Sequence, residues 1–258
     1  MSKGSDLLKS RWLSRKGNKS EKDKSEKLLL SMDSLLQLSR HSILSKLNGS
    51  KSFTEYVEEQ KQKEWNDVDF ESIEKIWKNE KMGVRVSIFI NNELRGCSGL
   101  LKSSKNVYED IIEHSINAGF SDERFPPLTW KDFKRIELEV SLIDEEEVLI
   151  EYKDPIELCM ILDRQKDSGV LIRHPKGRQA YYLPDTWDLI PDPAMLLSSL
   201  CVNAGLPSAS WRGEKRLWPR KIKEKKRDLY TGKIIEPEEF SGVSIYSLNV
   251  KTTCGKGK

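Results

Sequence analysis

Arg95-Gly96-Cys97-Ser98-Gly99 is the segment whose residue types are best suited to chemistry. Cys97 can supply a thiolate nucleophile, and a nearby cation such as Arg95 favours the thiolate over the thiol. Arg95 also carries a forked set of donors that suits a carboxylate or a phosphate. Gly96 and Gly99 would let a ligand approach the main chain closely. The pattern predicts either a nucleophile or covalent-adduct site or, as an open alternative, a strand bulge around a small buried cysteine.

Two other segments add candidate residues. Asp122 and Arg124 precede the stiff pair Pro126-Pro127, where they either bind a ligand or simply form an ion pair in a connecting loop. Glu139 lies on the polar face of a predicted strand, and it can act as a general base only if that strand lies beside Cys97. The catalytic candidates are therefore Cys97 and Glu139, and the substrate-binding candidates are Arg95, Gly96, Gly99, Asp122 and Arg124.

A β-hairpin is predicted to carry the cysteine segment. Residues 84–90 are rich in β-branched side chains and predict a strand. Asn91-Asn92 then marks a tight turn, and Glu93 begins the return strand. Residues 95–99 therefore fall where this hairpin ends.

Helical periodicity and capping residues predict the elements around the hairpin. A helix over residues 28–47 ends at Asn48-Gly49, and a helix capped by Asn106 ends with Gly119 in the left-handed conformation. The remaining predictions are two helices within residues 53–77, the second capped by Asp69; a strand at 136–142; helices beginning after Asp154 and Asp192; a hairpin within 170–183; and a strand at 242–250. Hairpins mixed with helices in no regular βαβ order favour the α+β class.

The composition restricts the compartment and the chemistry. The 258 residues contain no apolar run near the roughly 20 residues that span a bilayer, and the first residues lack a hydrophobic signal core. We therefore expect a protein of the cytoplasm or nucleus without a membrane partner. Four separated cysteines and three separated histidines predict no metal site. No phosphate-binding glycine motif or G-x-S-x-G elbow supports an ATPase, a dinucleotide enzyme or an α/β-hydrolase, so the cofactor is unknown.

Basic residues are concentrated near the two ends of the chain. Residues 1–27 carry nine basic and four acidic side chains, and residues 1–25 are predicted to be a disordered basic tail. Residues 214–233 carry nine basic and three acidic side chains. Their patch at 218–227 either contacts phosphates, or signals nuclear import, or is a solvated charge run. The chain between is acidic, so the case for nucleic acid is weak and no nucleic-acid-binding residues are assigned.

Six segments, taken in order, carry a resemblance to a known family. They are Leu94-Arg95-Gly96-Cys97-Ser98-Gly99, Asp122-Glu123-Arg124-Phe125-Pro126-Pro127-Leu128, Leu138-Glu139-Val140-Ser141, Gly169-Val170-Leu171-Ile172-Arg173, Tyr182-Leu183-Pro184 and Leu200-Cys201-Val202-Asn203-Ala204-Gly205-Leu206. The set resembles the domain family named after the AMME syndrome candidate gene 1 protein, the AMMECR-type domain. The predicted organisation is this domain over residues 26–235, followed by a strand and tail at 236–258.

The resemblance implies an α+β fold with two lobes, an antiparallel sheet flanked by helices, a smaller second lobe and a cleft between them. The residues that it places at this cleft are Arg95, Gly96, Cys97, Asp122, Arg124 and Glu139. The family has no established reaction, so three functions stay open. They are an enzyme or cofactor-handling protein acting on a small anionic ligand, a non-catalytic adaptor for a protein partner, and a nucleic-acid-binding module.

Overall fold

The computed structural model describes residues 19–62, 68–212, 226–227, 234–235 and 243–255. The elements, in chain order, are α1 (Lys19–Leu47), α2 (Phe53–Lys61), α3 (Phe70–Trp77), β1 (Gly83–Ile90), β2 (Glu93–Leu100), α4 (Val107–Phe120), α5 (Trp130–Phe133), β3 (Ile136–Leu149), α6 (Pro155–Asp163), β4 (Gly169–Arg173), β5 (Gln179–Tyr182), α7 (Thr186–Leu189), α8 (Pro193–Asn203), β6 (Lys226–Arg227), β7 (Ile234–Ile235) and β8 (Ser244–Gly255). Helices and antiparallel strands alternate in no regular βαβ order, and the α+β prediction is confirmed.

The chain divides into two compact units, residues 1–145 with 251–258 and residues 146–250. In the first unit the strand order is β2-β1-β3. Val84, Val86 and Ile88 of β1 are completely buried on one face, because successive side chains of a strand point to opposite faces. That face belongs to the first unit's apolar core, in which α4 packs on β1 and β2 and α1 packs on α4.

Local signals in the first unit place the elements as the sequence predicts. Asn91 and Asn92 both adopt positive φ, 54° and 66°, as a two-residue hairpin turn requires. The side chains of Asp69 and Asn106 accept the N–H of the third residue of α3 and α4. Gly49 follows α1 with φ of 77°. The predicted hairpin, both helix starts and the end of α1 are confirmed.

The second unit has the strand order β8-β4-β5. Its apolar core includes side chains of α6, α7 and α8. Asp154 and Asp192 cap α6 and α8, each followed by a proline in the first turn, as predicted. Helices α6 and α8 pack together. Their buried side chains are Leu158, Leu162, Leu196, Leu197, Leu200 and Cys201. These helices therefore each present one apolar face to the interior of this unit.

Two boundaries differ from the prediction. Helix α1 begins at Lys19 rather than at residue 28, so residues 19–25 of the predicted tail belong to this helix. Gly119 does not end α4 in the left-handed conformation, and that prediction is wrong. A Cβ at Gly119 would lie 2.9 Å from Leu128 Cδ1, so the glycine allows Leu128 to pack on the helix. The rest of the predicted tail and most of the basic patch at 218–227 lie outside the described residues.

Candidate functional site

Cys97 lies in the middle of β2, the strand at the end of the β2-β1-β3 order, rather than where the hairpin ends. Its N–H donates to Asp122 Oδ2 at 2.9 Å, whereas its register partner on β1 is Ser87. Because this N–H is directed at Asp122 and not at β1, Cys97 and Ser87 form a non-hydrogen-bonded pair, in which side chains approach closely. Cys97 therefore contacts Ser87 of the sheet on one side and Asp122 of a loop on the other.

Ser87 places a donor against the Cys97 sulfur. Its side chain is completely buried, and its hydroxyl donates to Cys97 Sγ at 3.7 Å. The same hydroxyl accepts a hydrogen bond from Arg85 Nε at 3.2 Å. A cationic donor thus polarises the hydroxyl that points at the sulfur, and hydrogen bonds in such a chain strengthen one another. The half-buried Cys97 sulfur is thus the last acceptor in a chain of donors that begins at Arg85.

Glu139 lies in the same cross-strand row, one strand further on. Ser87 is the register partner of both Cys97 and Glu139, so the three side chains share one face of the sheet. Two strand spacings put the Cα atoms of Cys97 and Glu139 about 10 Å apart. The pKa of the Cys254 thiol on β8 is raised by partial burial and by the charges of Glu139 and Glu137. The structure thus brings Glu139 onto the face of Cys97, with Ser87 between the two.

Asp122 joins the main chain of Cys97 to Arg124. Its carboxylate accepts two bonds from the Arg124 guanidinium, at 2.9 and 2.7 Å, as well as the Cys97 N–H. The hydrogen bonds from Arg124, followed by the one from Cys97, hold the Asp122 pKa well below its usual range. A carboxylate held in its ionised form is a positioning group, and it is a poor proton acceptor near neutral pH.

Arg124 is a second cation near Cys97, besides Arg85, because Asp122 hydrogen-bonds both to its guanidinium and to the Cys97 N–H. Its pKa is raised first by the hydrogen bond to Asp122 and then by the Asp122 charge. Its side chain is 60% exposed, whereas the Asp122 side chain is 7% exposed. Asp122 therefore fixes the guanidinium from the side that faces the protein, and the other side is accessible to a ligand from solvent.

Arg95 contacts a different set of groups. Its guanidinium lies 3.4 Å from the Pro127 carbonyl oxygen and 3.6 Å from Asp132 Oδ2, and 5.9 Å from the centre of the Phe125 ring. Only 16% of its side chain is exposed. These contacts tie the guanidinium to the loop that follows α4 and to the start of α5. The guanidinium of Arg95 is thus less exposed than that of Arg124, and its contacts do not include Cys97.

Gly96 and Gly99 leave room for the protein's own main chain. A Cβ at Gly96 would collide with the Ala118 carbonyl oxygen of α4, and one at Gly99 would lie 2.5 Å from the Val84 carbonyl oxygen. Both glycines therefore allow close packing around β2. The ligand approach predicted at these positions has no support from the contacts.

Ser98 faces the helix side of β2 instead of the Cys97 face. Its hydroxyl lies 2.8 Å from His114 Nδ1 on α4, and burial lowers the pKa of His114. A neutral His114 can accept the Ser98 hydroxyl hydrogen at Nδ1. Ser98 therefore belongs to the strand–helix contact, and Cys97 to the opposite polar face.

Arg85 and Ser87 contact the candidate site but were not predicted from the sequence. The available signal was the alternation of Arg85 and Ser87 with Val84, Val86 and Ile88, which puts both polar residues on one face of β1. Only the register of β2 against β1 shows that this face carries Cys97.

The described ranges contain no group of three or more His, Cys, Asp or Glu side chains placed to bind a metal ion. Within the same ranges, no helix combines the length and the apolar character needed to cross a membrane. Neither finding assigns a cofactor or a partner.

The fold and the site define an α+β protein with a cysteine on the polar face of an antiparallel sheet. The AMMECR1 family model matches residues 36–219, and the chain belongs to this family. The resemblance recognised from six sequence segments is thereby confirmed.

Similar proteins come from archaea. A protein of Methanocaldococcus jannaschii is 32% identical over 143 residues, which cover 53% of this chain and 68% of that protein. A protein of Methanopyrus kandleri is 32% identical over 140 residues, covering 51% of this chain and 64% of that protein. The crystal structure of an uncharacterised protein from Pyrococcus horikoshii matches 85% of this chain and 89% of its own, with a TM-score of 0.57 and 21% identity. That likeness shows the fold alone.

Proposed function

We propose that this protein is an enzyme or cofactor-handling protein of the cytoplasm or nucleus that uses the Cys97 thiolate on a small anionic molecule. The observation that carries the proposal is the chain of donors from Arg85 Nε to Ser87 Oγ and from Ser87 Oγ to Cys97 Sγ. Donors directed at a sulfur stabilise its anion, and the anion is the nucleophile.

Arg124 is the proposed anchor for the substrate's negative charge. Its exposed guanidinium is fixed by Asp122, and Asp122 is fixed in turn by the Cys97 N–H. A forked cation held in place beside a nucleophile can orient a carboxylate or phosphate group for attack. This moves the anchoring role from Arg95 to Arg124 and gives Asp122 the task of positioning it.

The proposed covalent step begins when the thiol releases its proton. The Cys97 sulfur then donates an electron pair to an electrophilic carbon of the substrate, and the bond from that carbon to its leaving group breaks with the electron pair on the leaving group. The thiol proton passes to solvent water, because the predicted base Glu139 lies two strand spacings from Cys97 with the Ser87 side chain between them and so does not meet the condition for a general base. Asp122 is excluded from that role by its stabilised negative charge.

A pair of alkylating reagents tests the site without knowledge of its substrate. Iodoacetate and iodoacetamide have the same reactive carbon, whereas only iodoacetate carries a negative charge; each loses iodide as the S–C bond forms. We expect the ratio of the iodoacetate to the iodoacetamide rate at Cys97 to be about tenfold higher in the unmodified chain than in Arg124→Gln, which is about 1.4 kcal/mol of anion recognition. Peptide mass spectrometry on the full chain gives both rates. Glu137 and Glu139 give Cys254 its own bias against iodoacetate, so the Cys254 ratio serves only to normalise the two proteins.

Two variants separate the anchor from the donor chain. Arg124→Gln should abolish the preference for iodoacetate at Cys97 and should slow iodoacetamide less than iodoacetate, since loss of a nearby cation also disfavours the thiolate. Ser87→Ala should slow both reagents at Cys97 at neutral pH while Cys254 reacts as before. Equal reagent ratios at Cys97 in the unmodified chain and in Arg124→Gln would contradict the anion site, and unchanged rates in Ser87→Ala would contradict thiolate stabilisation.

A further inference from the structure

The second unit exposes large apolar side chains on three neighbouring helices. Ile156 and Met160 of α6 are 74% and 52% exposed, Leu189 of α7 is 82% exposed, and Met195 of α8 is 65% exposed. Ile156 and Met160 are four residues apart and therefore lie on the same face of α6. We call these four side chains the helical patch.

Two contacts connect the three helices that carry the helical patch. Helix α6 packs on α8, and the pKa of Cys159 on α6 is raised by burial and by the charge of Asp192 at the start of α8. Lys166, just beyond α6, has its Nζ 5.8 Å from the centre of the Trp187 ring of α7. The helical patch therefore spans one continuous group of elements within the second unit.

The core does not require these side chains. Leu158 and Leu162 of α6, and Leu196 and Leu197 of α8, already fill the interior and are 0–1% exposed. Single exposed apolar residues are normal on a protein, whereas a group of them on adjacent elements indicates an interaction surface. Methionine is common on surfaces that bind apolar helices, because its flexible thioether adapts to different shapes.

The charge around the helical patch indicates the kind of partner. Asp188 and Asp192 flank Leu189 and Met195, and residues 185–203 contain three aspartates and no lysine or arginine. Asp154 and Glu157 add negative charge at the start of α6, beside Ile156. Lys153, Arg164 and Lys166 lie at the two ends of α6, Lys166 is paired with Asp163 at 2.7 Å, and the charge of Arg212 acts on Cys159 of α6. Acidic side chains still outnumber basic ones around the apolar side chains, and such a surface favours a basic partner over anionic membranes and nucleic acid.

We infer that the helical patch is a docking surface for a cationic amphipathic helix of a partner protein. The apolar stripe of such a helix, at positions i, i+3, i+4 and i+7, would cover Ile156, Met160, Leu189 and Met195. Lysine and arginine side chains at its edges would meet the aspartates that border the patch. The inference is independent of the Cys97 site, since the two rest on residues of different units.

A synthetic helix of leucine, lysine and arginine, with leucines at the i, i+3, i+4 and i+7 positions, is the probe for this surface. We expect saturable binding to the full chain by fluorescence anisotropy, weakened at least tenfold in Ile156→Ser/Met160→Ser and in Leu189→Ser/Met195→Ser. The matched control is Ile76→Ser, an apolar residue of the first unit that is 48% exposed, and it should bind like the unmodified chain. Affinity should fall as salt rises, and a peptide with glutamate in place of lysine and arginine should not bind.

Cross-linking from the helical patch extends the test to natural partners. A photoreactive residue at position 160 should cross-link, in cell extract, to a partner segment whose sequence is both basic and helically amphipathic. Several outcomes would overturn the inference: equal binding of the acidic peptide, binding that is unaffected by the patch substitutions, or cross-links confined to acidic segments. Cross-links to a second copy of the chain, with self-association lost in Ile156→Ser/Met160→Ser, would replace the inference with a homodimer.

Discussion

In the first unit the polar groups of the candidate site contact one another, whereas in the second unit the apolar side chains of the helical patch are exposed. Ser87, completely buried, lies between Cys97 and Glu139 in one row of the first unit's sheet. Ile156 and Leu189 of the second unit extend into solvent over a core that is complete without them. Substitutions in the first unit should therefore change stability or reactivity, and substitutions in the helical patch should change binding alone.

Gly96→Ala should have the largest effect. The new Cβ would collide with the Ala118 carbonyl oxygen of α4, and because both atoms belong to rigid elements the strand or the helix must shift. We expect a loss of about 3 kcal/mol in the free energy of unfolding, measured with urea. Gly177→Ala is the matched control, since its Cβ would meet open space and the substitution would cost only about 1 kcal/mol for its φ of 83°. Equal losses would mean that β2 and α4 are not held close together.

Acid should destabilise the first unit through His41. Its Nδ1 lies 2.7 Å from the Tyr56 hydroxyl, and burial, followed by the Arg40 charge, lowers its pKa from 6.5 to about 4. Since the folded-state pKa is the lower one, the unfolded chain binds more protons between these values, and stability falls as the pH falls from 6.5 towards 4. The loss in the free energy of unfolding from this cause is at most about 3 kcal/mol, and urea unfolding across this pH range measures it.

His41→Phe should flatten that dependence on pH. Burial also lowers the pKa of His114, which acts in the same direction, so His114 contributes to the slope that remains in His41→Phe. His114→Gln is the companion variant and should reduce this remainder, which below about pH 5 also contains the contribution of Asp122. A slope that is unchanged in His41→Phe would show that His41 is not held neutral in the folded protein.

Asp122→Asn should lower the free energy of unfolding by about 2 kcal/mol, because it weakens the bond to the Cys97 N–H and the two bonds to Arg124. Arg124→Gln should cost less than about 1 kcal/mol, since that side chain is mostly exposed. Thermal or urea unfolding gives both values. A larger loss in Arg124→Gln would show that Asp122 stabilises the protein mainly through its ion pair with Arg124 and not through its bond to the Cys97 N–H.

Met160→Ser and Leu189→Ser should have the smallest effect on folding. Both side chains point outward, so we expect each change to stay within about 0.5 kcal/mol in the free energy of unfolding. Leu158→Ser, on the buried face of α6, is the control and should cost several kcal/mol. A large loss in Met160→Ser would assign the helical patch to the core and remove the contrast between the two units.

Local sequence signals predicted most of the elements, because capping and turn formation depend on a few neighbouring residues. Asp69, Asn106 and Asp192 each begin a helix through a side chain that accepts a nearby N–H, which needs no distant contact. Gly119 misled the prediction, since a glycine that ends a helix and one that admits a distant side chain look alike in sequence. Leu128, which explains Gly119, comes from the loop that follows α4.

The candidate site was predicted in part. Cys97, Asp122 and Arg124 were chosen from the sequence, and the structure joins them through hydrogen bonds. Arg95 was chosen because it is two residues from Cys97, but its guanidinium contacts Pro127 and Asp132. Proximity in sequence indicates little about where a long side chain is directed.

By itself, the sequence determined the α+β class and the local starts and ends of helices and hairpins, because these follow from periodicity and short-range hydrogen bonds. It indicated the family through the resemblance of six ordered segments. Only the tertiary structure decided which polar residues meet Cys97. Ser87 and Asp122 reach it from another strand and from a loop, and the register of β1 and the packing of α4 that bring them there depend on the whole core. Which apolar side chains remain outside was decided in the same way, since burial is a property of the packed chain.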